Sequence, residues 1–176
     1  MVPVLDTLQM EVTLANHYDL RRNLIVPNVH WGLGFLHEID MLIVTKSGYA
    51  SEIEIKISKS DLKHDMKKKW AHNNFIDNPR IKTITFAMPE SMVGCVELVP
   101  EYAGIALVKW NEEWTNIHGG TCPAHYSVEI YKKPRINHDA RKLSADEIKH
   151  LYVLSAMRIW SYKQTKINDR NKITGE

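Results

Sequence analysis

The segment from Phe35 to Ser58 limits the fold of this chain more than any other stretch. Two β-rich runs, Phe35 to Thr45 and Tyr49 to Ser58, flank Lys46-Ser47-Gly48, a three-residue loop ending in glycine. Glycine reaches the left-handed backbone conformation that closes a tight hairpin, so the runs are expected to be antiparallel neighbours. Side chains alternate faces along a strand, which puts Glu38 and Asp40 on one face of the first run and Glu52, Glu54 and Lys56 on one face of the second. His37 falls on the face opposite Asp40 and reads as a packed residue. Pairing Thr45 with Tyr49 sets Asp40 directly opposite Glu54, and Glu38 opposite Lys56. Opposed residues have Cβ atoms roughly 4.5 to 5.5 Å apart, where like charges destabilise the pair. A cation is therefore expected between them, and carboxylate oxygens favour a hard divalent ion such as Mg²⁺, with Mn²⁺ as a substitute.

Lys56 shares the Glu54 face and reaches a water or phosphate held by such an ion. Its expected role is to position the attacking water and to offset charge building on phosphorus. The backbone carbonyl of Ile55 offers the metal one more oxygen. The reaction class implied is phosphodiester hydrolysis. The same Glu-Ile-Glu-Ile-Lys alternation also describes a strand with one solvated face, a reading that predicts Asp40 and Glu54 far apart or on different faces.

The other elements frame this hairpin. Leu5, Leu8, Val12, Leu14, Ala15 and Tyr18 have helical spacing, with Asp6 near the start of the helix, where acid is favoured. Val4, Leu8, Leu14, Ala15 and Tyr18 surround Glu11 on the wheel, so a carboxylate in an apolar face needs a partner. Ser58 or Ser60 caps a second helix running to about Asn73, with Leu62, Met66 and Trp70 as its buried stripe. Residues 81–87 and 104–110 read as strands joined by a loop with prolines at 89 and 100, and 126–132 as an edge strand. Ser144 and Glu147 form a capping-box pattern that opens a long C-terminal helix.

With 176 residues, 44% hydrophobic and 25% charged, the chain is expected to form a single domain over 1–165, with a frayed polar end from 166 to 176. No apolar run spans a bilayer and no signal-peptide pattern opens the sequence, so no membrane role and a cytoplasmic location are expected. Two cysteines fit a reducing compartment. The net charge of +2 permits a nucleic-acid partner without demanding one, but between Lys56 and Lys69 six lysines stand against two aspartates. Lys63, Lys67, Lys68 and Lys69 are the expected phosphate-neutralising residues of a DNA contact. Asp61 and Asp65, one helical turn apart, are placed to pair with Lys68 or Lys69 on the surface, and Asp61 is read that way.

Asp40 followed by Glu54-Ile55-Lys56 resembles the Asp…(Asp/Glu)-x-Lys signature of the PD-(D/E)XK nuclease superfamily. Residues 54–67, EIKISKSDLKHDMK, are similar to the E-[IV]-K-x-S-x-x-D-[FL]-x-x-D-x-K run of a branch containing bacterial DNA-repair endonucleases and related phage proteins. TFAMP at 85–89 and GIALV at 104–108 are similarly placed to that branch's later strands. The resemblance covers residues 5–110 and departs at Lys68, where the branch often has tryptophan, and at Ile39, which precedes Asp40 in place of proline. It implies an α/β restriction-endonuclease-like fold with a central mixed β-sheet flanked by helices. It implies a metal-dependent DNA endonuclease or exonuclease acting in DNA repair, recombination or phage DNA processing. Asp40, Glu54, Lys56 and Glu11 would then be catalytic, with Asp40, Glu54, the Ile55 carbonyl and Glu11 on the metal. The alternatives are a non-cleaving nucleic-acid-binding protein on the same fold, and a subunit that cuts only as a homodimer or with a protein partner.

Overall fold

Helix α1 (Thr7–His17) starts where expected, because Asp6 caps it: its carboxylate accepts the Gln9 N–H at 2.7 Å. Its buried stripe is Met10, Thr13 and Leu14, while Leu8 and Val12, expected inside, are exposed. β1 (Leu24–Val29) then pairs antiparallel with β2 (Ile39–Val44), and β2 with β3 (Ala50–Ile55). The structure is a computed structural model and describes residues 3–30, 32–35, 37–67 and 78–174. The three-residue loop closes the β2–β3 hairpin in the expected register: Thr45 N–H donates to the Tyr49 carbonyl at 2.9 Å, and Gly48 takes φ +87°.

Helix α2 (Lys59–Lys67) follows, with the Ser58 hydroxyl accepting the Asp61 N–H at 3.1 Å and Leu62 fully buried. The rest of the expected stripe cannot be placed: Trp70 lies outside the described residues, as does the side chain of Met66. β4 (Ile81–Pro89) runs parallel to β3, and β5 (Gly104–Asn111) parallel to β4. Gly104 is required at its place, since a Cβ there would lie 2.8 Å from Pro134 and 2.9 Å from the Thr85 hydroxyl. The proline-flanked stretch between β4 and β5 is not a loop. It forms a 3₁₀ helix over Glu90–Leu98 whose three-residue period aligns Met92, Cys95 and Leu98 against the core. After the two-stranded β6 (Trp114–Thr115) and β7 (Thr121–Cys122), β8 (His125–Lys132) closes the far edge, antiparallel to β5. The result is an α/β arrangement, a six-stranded mixed sheet in the order β1-β2-β3-β4-β5-β8 flanked by helices.

Each sheet face carries its own core. On one, Leu42, Val44, Ala50, Phe86, Met88 and Leu107 meet Leu62, the 3₁₀ segment and the start of the last helix, α3 (Ala145–Thr174). On the other, Met41, Ile43, Ile53, Ile55 and Val108 meet Met10 and Leu14 of α1. Both faces of the hairpin are therefore dry. Among the described residues no helix is long and apolar enough to cross a membrane.

α3 opens on the expected capping box: Ser144 Oγ accepts the Glu147 N–H at 3.2 Å, and Glu147 Oε2 accepts the Ser144 N–H at 2.7 Å. The helix continues to Thr174 and so includes most of the stretch from Lys166 expected to fray. Glu147 also takes Arg80 Nε at 2.7 Å and both terminal nitrogens of Arg141, joining α3 to β4. The Arg141 hydrogen bonds, against the opposing pull of burial and with Ser144 and Arg80 in support, hold its carboxyl well below the usual range. A depressed folded-state pKa gives stability that is present above the ordinary value of 4.5 and lost as pH falls below it. Glu147→Ala is therefore expected to cost about 2 kcal/mol at neutral pH. Urea unfolding of both proteins checks this, and their difference should shrink in acid.

Candidate functional site

The β2–β3 ladder ends at Met41 opposite Ile53, which places Asp40 and Glu54 just beyond it and opposite one another. Continued pairing would direct the Ile55 N–H to the backbone of β2. Instead the Asp40 carboxylate takes that bond, with Oδ2 2.7 Å from the Ile55 nitrogen. The N–H and C=O of one residue leave a strand on the same side, so the Ile55 carbonyl lies along the edge that faces Asp40. The Lys56 N–H bonds on the other side, to the Ala87 carbonyl of β4 at 2.9 Å, which fixes the strand end between its neighbours.

The parity of β3 carries Glu52, Glu54 and Lys56 to the sheet face of the larger core. Their exposures are 2%, 4% and 6%, which excludes a solvated charged face for this strand. Burying three charges is costly unless each is paired. Lys56 Nζ sits 2.9 Å from Glu54 Oε2, 3.3 Å from Asp65 Oδ2 and 3.7 Å from Asp40 Oδ2. Burial alone would lower the lysine pKa, but these carboxylates more than reverse it, so the ammonium is retained. His37 Nε2 lies 2.9 Å from Glu52 Oε1 and 3.9 Å from Glu54 Oε1, and its pKa is raised chiefly by the Glu52 hydrogen bond.

Negative charge still predominates. Burial pushes the Glu54 carboxyl up to about 8 against the pull of Lys56, with Asp40 and Glu52 adding to the rise. Asp40 is raised too, by burial first, despite Lys56 and the Ile55 N–H. Glu11, half-buried on α1, is raised by burial and then by the charge on Asp40. Among the described residues Glu54 Oε1 is buried and accepts no hydrogen bond. The side chain of Asp40 is 34% exposed and forms the opening of the cluster to solvent.

Asp40, Glu54 and Lys56 are thus brought together, with the Ile55 backbone beside Asp40; Glu11 stands on α1, against the other face of the sheet, and senses the charge on Asp40. Glu38 is not among them: it is exposed, because the chain before Ile39 is no longer strand and alternation stops there. For the same reason His37 is not on the opposite face, and it turns to Glu52 and Glu54 instead. Asp65, for which a surface pairing with Lys68 or Lys69 stood open, pairs with Lys56 in the cluster. The signal for this was its spacing of three from Leu62, which places both on the inward side of α2. Lys63 is exposed on α2. The side chain of Lys67, and all of Lys68 and Lys69, lie outside the described residues.

One group of side chains at this locus can hold a cation. Among the described residues, the group whose ligand atoms lie within 4.8 Å of one another is His37, Glu52 and Glu54; Asp40, with Oδ2 on the Ile55 N–H, stands at the same strand end. Glu54 belongs to it, and its Oε1, which has no hydrogen bond among the described residues and only the long 3.9 Å contact to His37, is the atom that a bound cation would satisfy. Fold and site together define an α/β domain with a buried, acid-rich carboxylate–lysine cluster at a strand end.

No family model matches this chain, and no curated protein matches it. A solved structure with a similar arrangement is the SPO1766 protein of unknown function from Silicibacter pomeroyi. The two superpose with a TM-score of 0.58 over 96% of each chain at 16% sequence identity, a likeness of fold alone.

Proposed function

We propose that this chain is a Mg²⁺-dependent deoxyribonuclease with a restriction-endonuclease-like fold, hydrolysing phosphodiester bonds in DNA repair, recombination or phage DNA processing. The observation that carries this reading is the buried convergence of Asp40, Glu54 and Lys56 at the open end of the β2–β3 hairpin. A purely structural ion pair needs one carboxylate, whereas Lys56 is surrounded by three. The placement of α1 and α2 on opposite faces of that hairpin agrees with the architecture the sequence resemblance implies.

A cation held by Asp40, Glu54 and the Ile55 carbonyl would supply Lewis acidity toward a phosphoryl oxygen and make water a stronger nucleophile. Asp40, at the solvent opening, admits the phosphate. Lys56, held by Glu54 and Asp65, orients water and balances charge growing on the phosphoryl oxygens. Glu11 adds a carboxylate from α1, and Lys63 with its neighbouring lysines neutralises the DNA backbone along α2.

Purified protein incubated with linear, nicked, branched and single-stranded DNA should cut at least one of them with Mg²⁺ or Mn²⁺ and none in EDTA. Asp40→Ala should remove the activity. Cleavage that survives Asp40→Ala sinks the assignment, and DNA binding without cleavage favours a non-cleaving role.

The proton on Glu54 competes with the cation. Its folded-state pKa is raised to about 8, so in the window below about 8 each bound ion must displace a proton. Mg²⁺ affinity is expected to climb up to roughly tenfold per pH unit across that window and to level off above it. Calorimetric titrations at pH 6, 7 and 9 measure the slope, and an affinity independent of pH contradicts it.

A further inference from the structure

α3 spans 30 residues, yet only its first half meets the sheet. Leu151 and Leu154 are buried, Ile148 packs against the core, and Arg158 Nη2 donates to the Asn28 carbonyl at 2.5 Å. From Ile159 to Asn171 every residue is exposed. An isolated helix of that length is marginal in water, so the overhanging part needs something to pack against.

Its sequence shows where. Val153, Trp160 and Ile167 recur at intervals of seven, on the side of the helix away from Leu151 and Leu154. They are 51%, 68% and 42% exposed, and Met157 beside them is 50% exposed. A seven-residue apolar repeat is the pattern that seats one helix against another.

We propose that this stripe is the interface with a second copy of the chain, formed by two α3 helices packed antiparallel about a two-fold axis at Trp160. Val153 and Ile167 stand at equal spacing on either side of Trp160, so the two-fold sets Val153 against Ile167 of the partner subunit. That self-complementarity is what an isologous contact requires. Ala156, one turn before Trp160 on the same side, leaves room for the indole. Charge fits the same orientation. The first turn carries Asp146 on the side of the stripe, Glu147 being held by Arg80 and Arg141, whereas the end of the helix carries Lys163, Lys166 and Arg170 against the single acid Asp169. Antiparallel packing brings acidic start to basic end and opposes the helix dipoles, while parallel packing sets like against like.

Sedimentation velocity of the full chain, without DNA or metal, tests this independently of nuclease activity. Over roughly 1 to 100 μM the chain should pass from monomer to dimer. Trp160→Glu and Val153→Glu, both at exposed positions, should each weaken the dimer by at least about 100-fold, with loss of helical circular dichroism from the unpaired end. Trp160→Cys should form a disulfide-linked dimer on mild oxidation, since the axis passes through this residue. A chain that stays monomeric throughout overturns the proposal, as does a dimer indifferent to both glutamates. So does loss of DNA binding in Trp160→Glu with no change in mass, which would assign the stripe to nucleic acid.

Discussion

Lys56→Ala should lower the rate of metal-dependent DNA cleavage by at least about 10³-fold while leaving DNA binding largely intact. Among the described residues Lys56 Nζ is the one ammonium in contact with Asp40, Glu54 and Asp65, and its side chain is only 7% exposed. Under the proposed function, so enclosed a side chain would contribute at the reacting phosphate and not by holding DNA from outside. Removing it also leaves three carboxylates facing one another in a nearly dry space. Breaking a buried ion pair from one side typically costs about 3 to 5 kcal/mol. The variant should therefore melt earlier than wild type in EDTA and regain part of the loss in Mg²⁺, because the cation replaces the missing positive charge without restoring its position. Lys56→Arg keeps the charge and the fold, but a planar guanidinium does not substitute for a compact ammonium, and the rate should remain low. Wild-type cleavage by either variant would place the chemistry elsewhere.

The site was legible in the sequence as far as strand periodicity extends. Loop length and Gly48 fixed the hairpin register, and that register, with a parity of two, put Asp40 opposite Glu54 and Lys56 beside them. Where regular structure stops, so does the reading. Alternation was carried back through Glu38 and His37, but β2 begins at Ile39, after a segment in which Gly32 and Gly34 take positive φ. Neither residue lies where a strand would have put it. Asp65 had an ambiguous helical address, three residues from Leu62 and close to lysines, and only docking of α2 on the sheet decides between them. The 3₁₀ segment from Glu90 to Leu98 reads as loop because its apolar residues recur every three positions, a period that suits neither strand nor α-helix. α3 was legible at its capping box and illegible at its end, where the polar residues after Lys166 look the same in a tail and in an exposed helix.

Glu54→Gln separates catalysis from stability more sharply than any other substitution. Glutamine keeps the shape and one oxygen but cannot ionise, so metal affinity should fall on the order of 100-fold and cleavage at least about 10³-fold. Stability should move the other way. A glutamate whose folded-state pKa is raised favours its protonated form in the fold, so it removes stability as pH climbs from the ordinary value of 4.5 to about 8. A neutral amide avoids that loss, and Lys56 retains Asp65 at 3.3 Å and Asp40 at 3.7 Å as partners. In EDTA at pH 9 the variant is expected to be more stable than wild type by on the order of 1 to 3 kcal/mol, with the gap closing toward pH 5. Mg²⁺ should reverse the order, since only the wild-type site gains binding free energy from the ion. Four denaturation curves, each protein with and without Mg²⁺, decide the matter. If Glu54→Gln is destabilising in EDTA at high pH, then Glu54 is above all the structural partner of Lys56. If instead the two proteins exchange rank on adding the ion, the cluster stores electrostatic strain that a cation relieves, as expected of a metal-dependent active site.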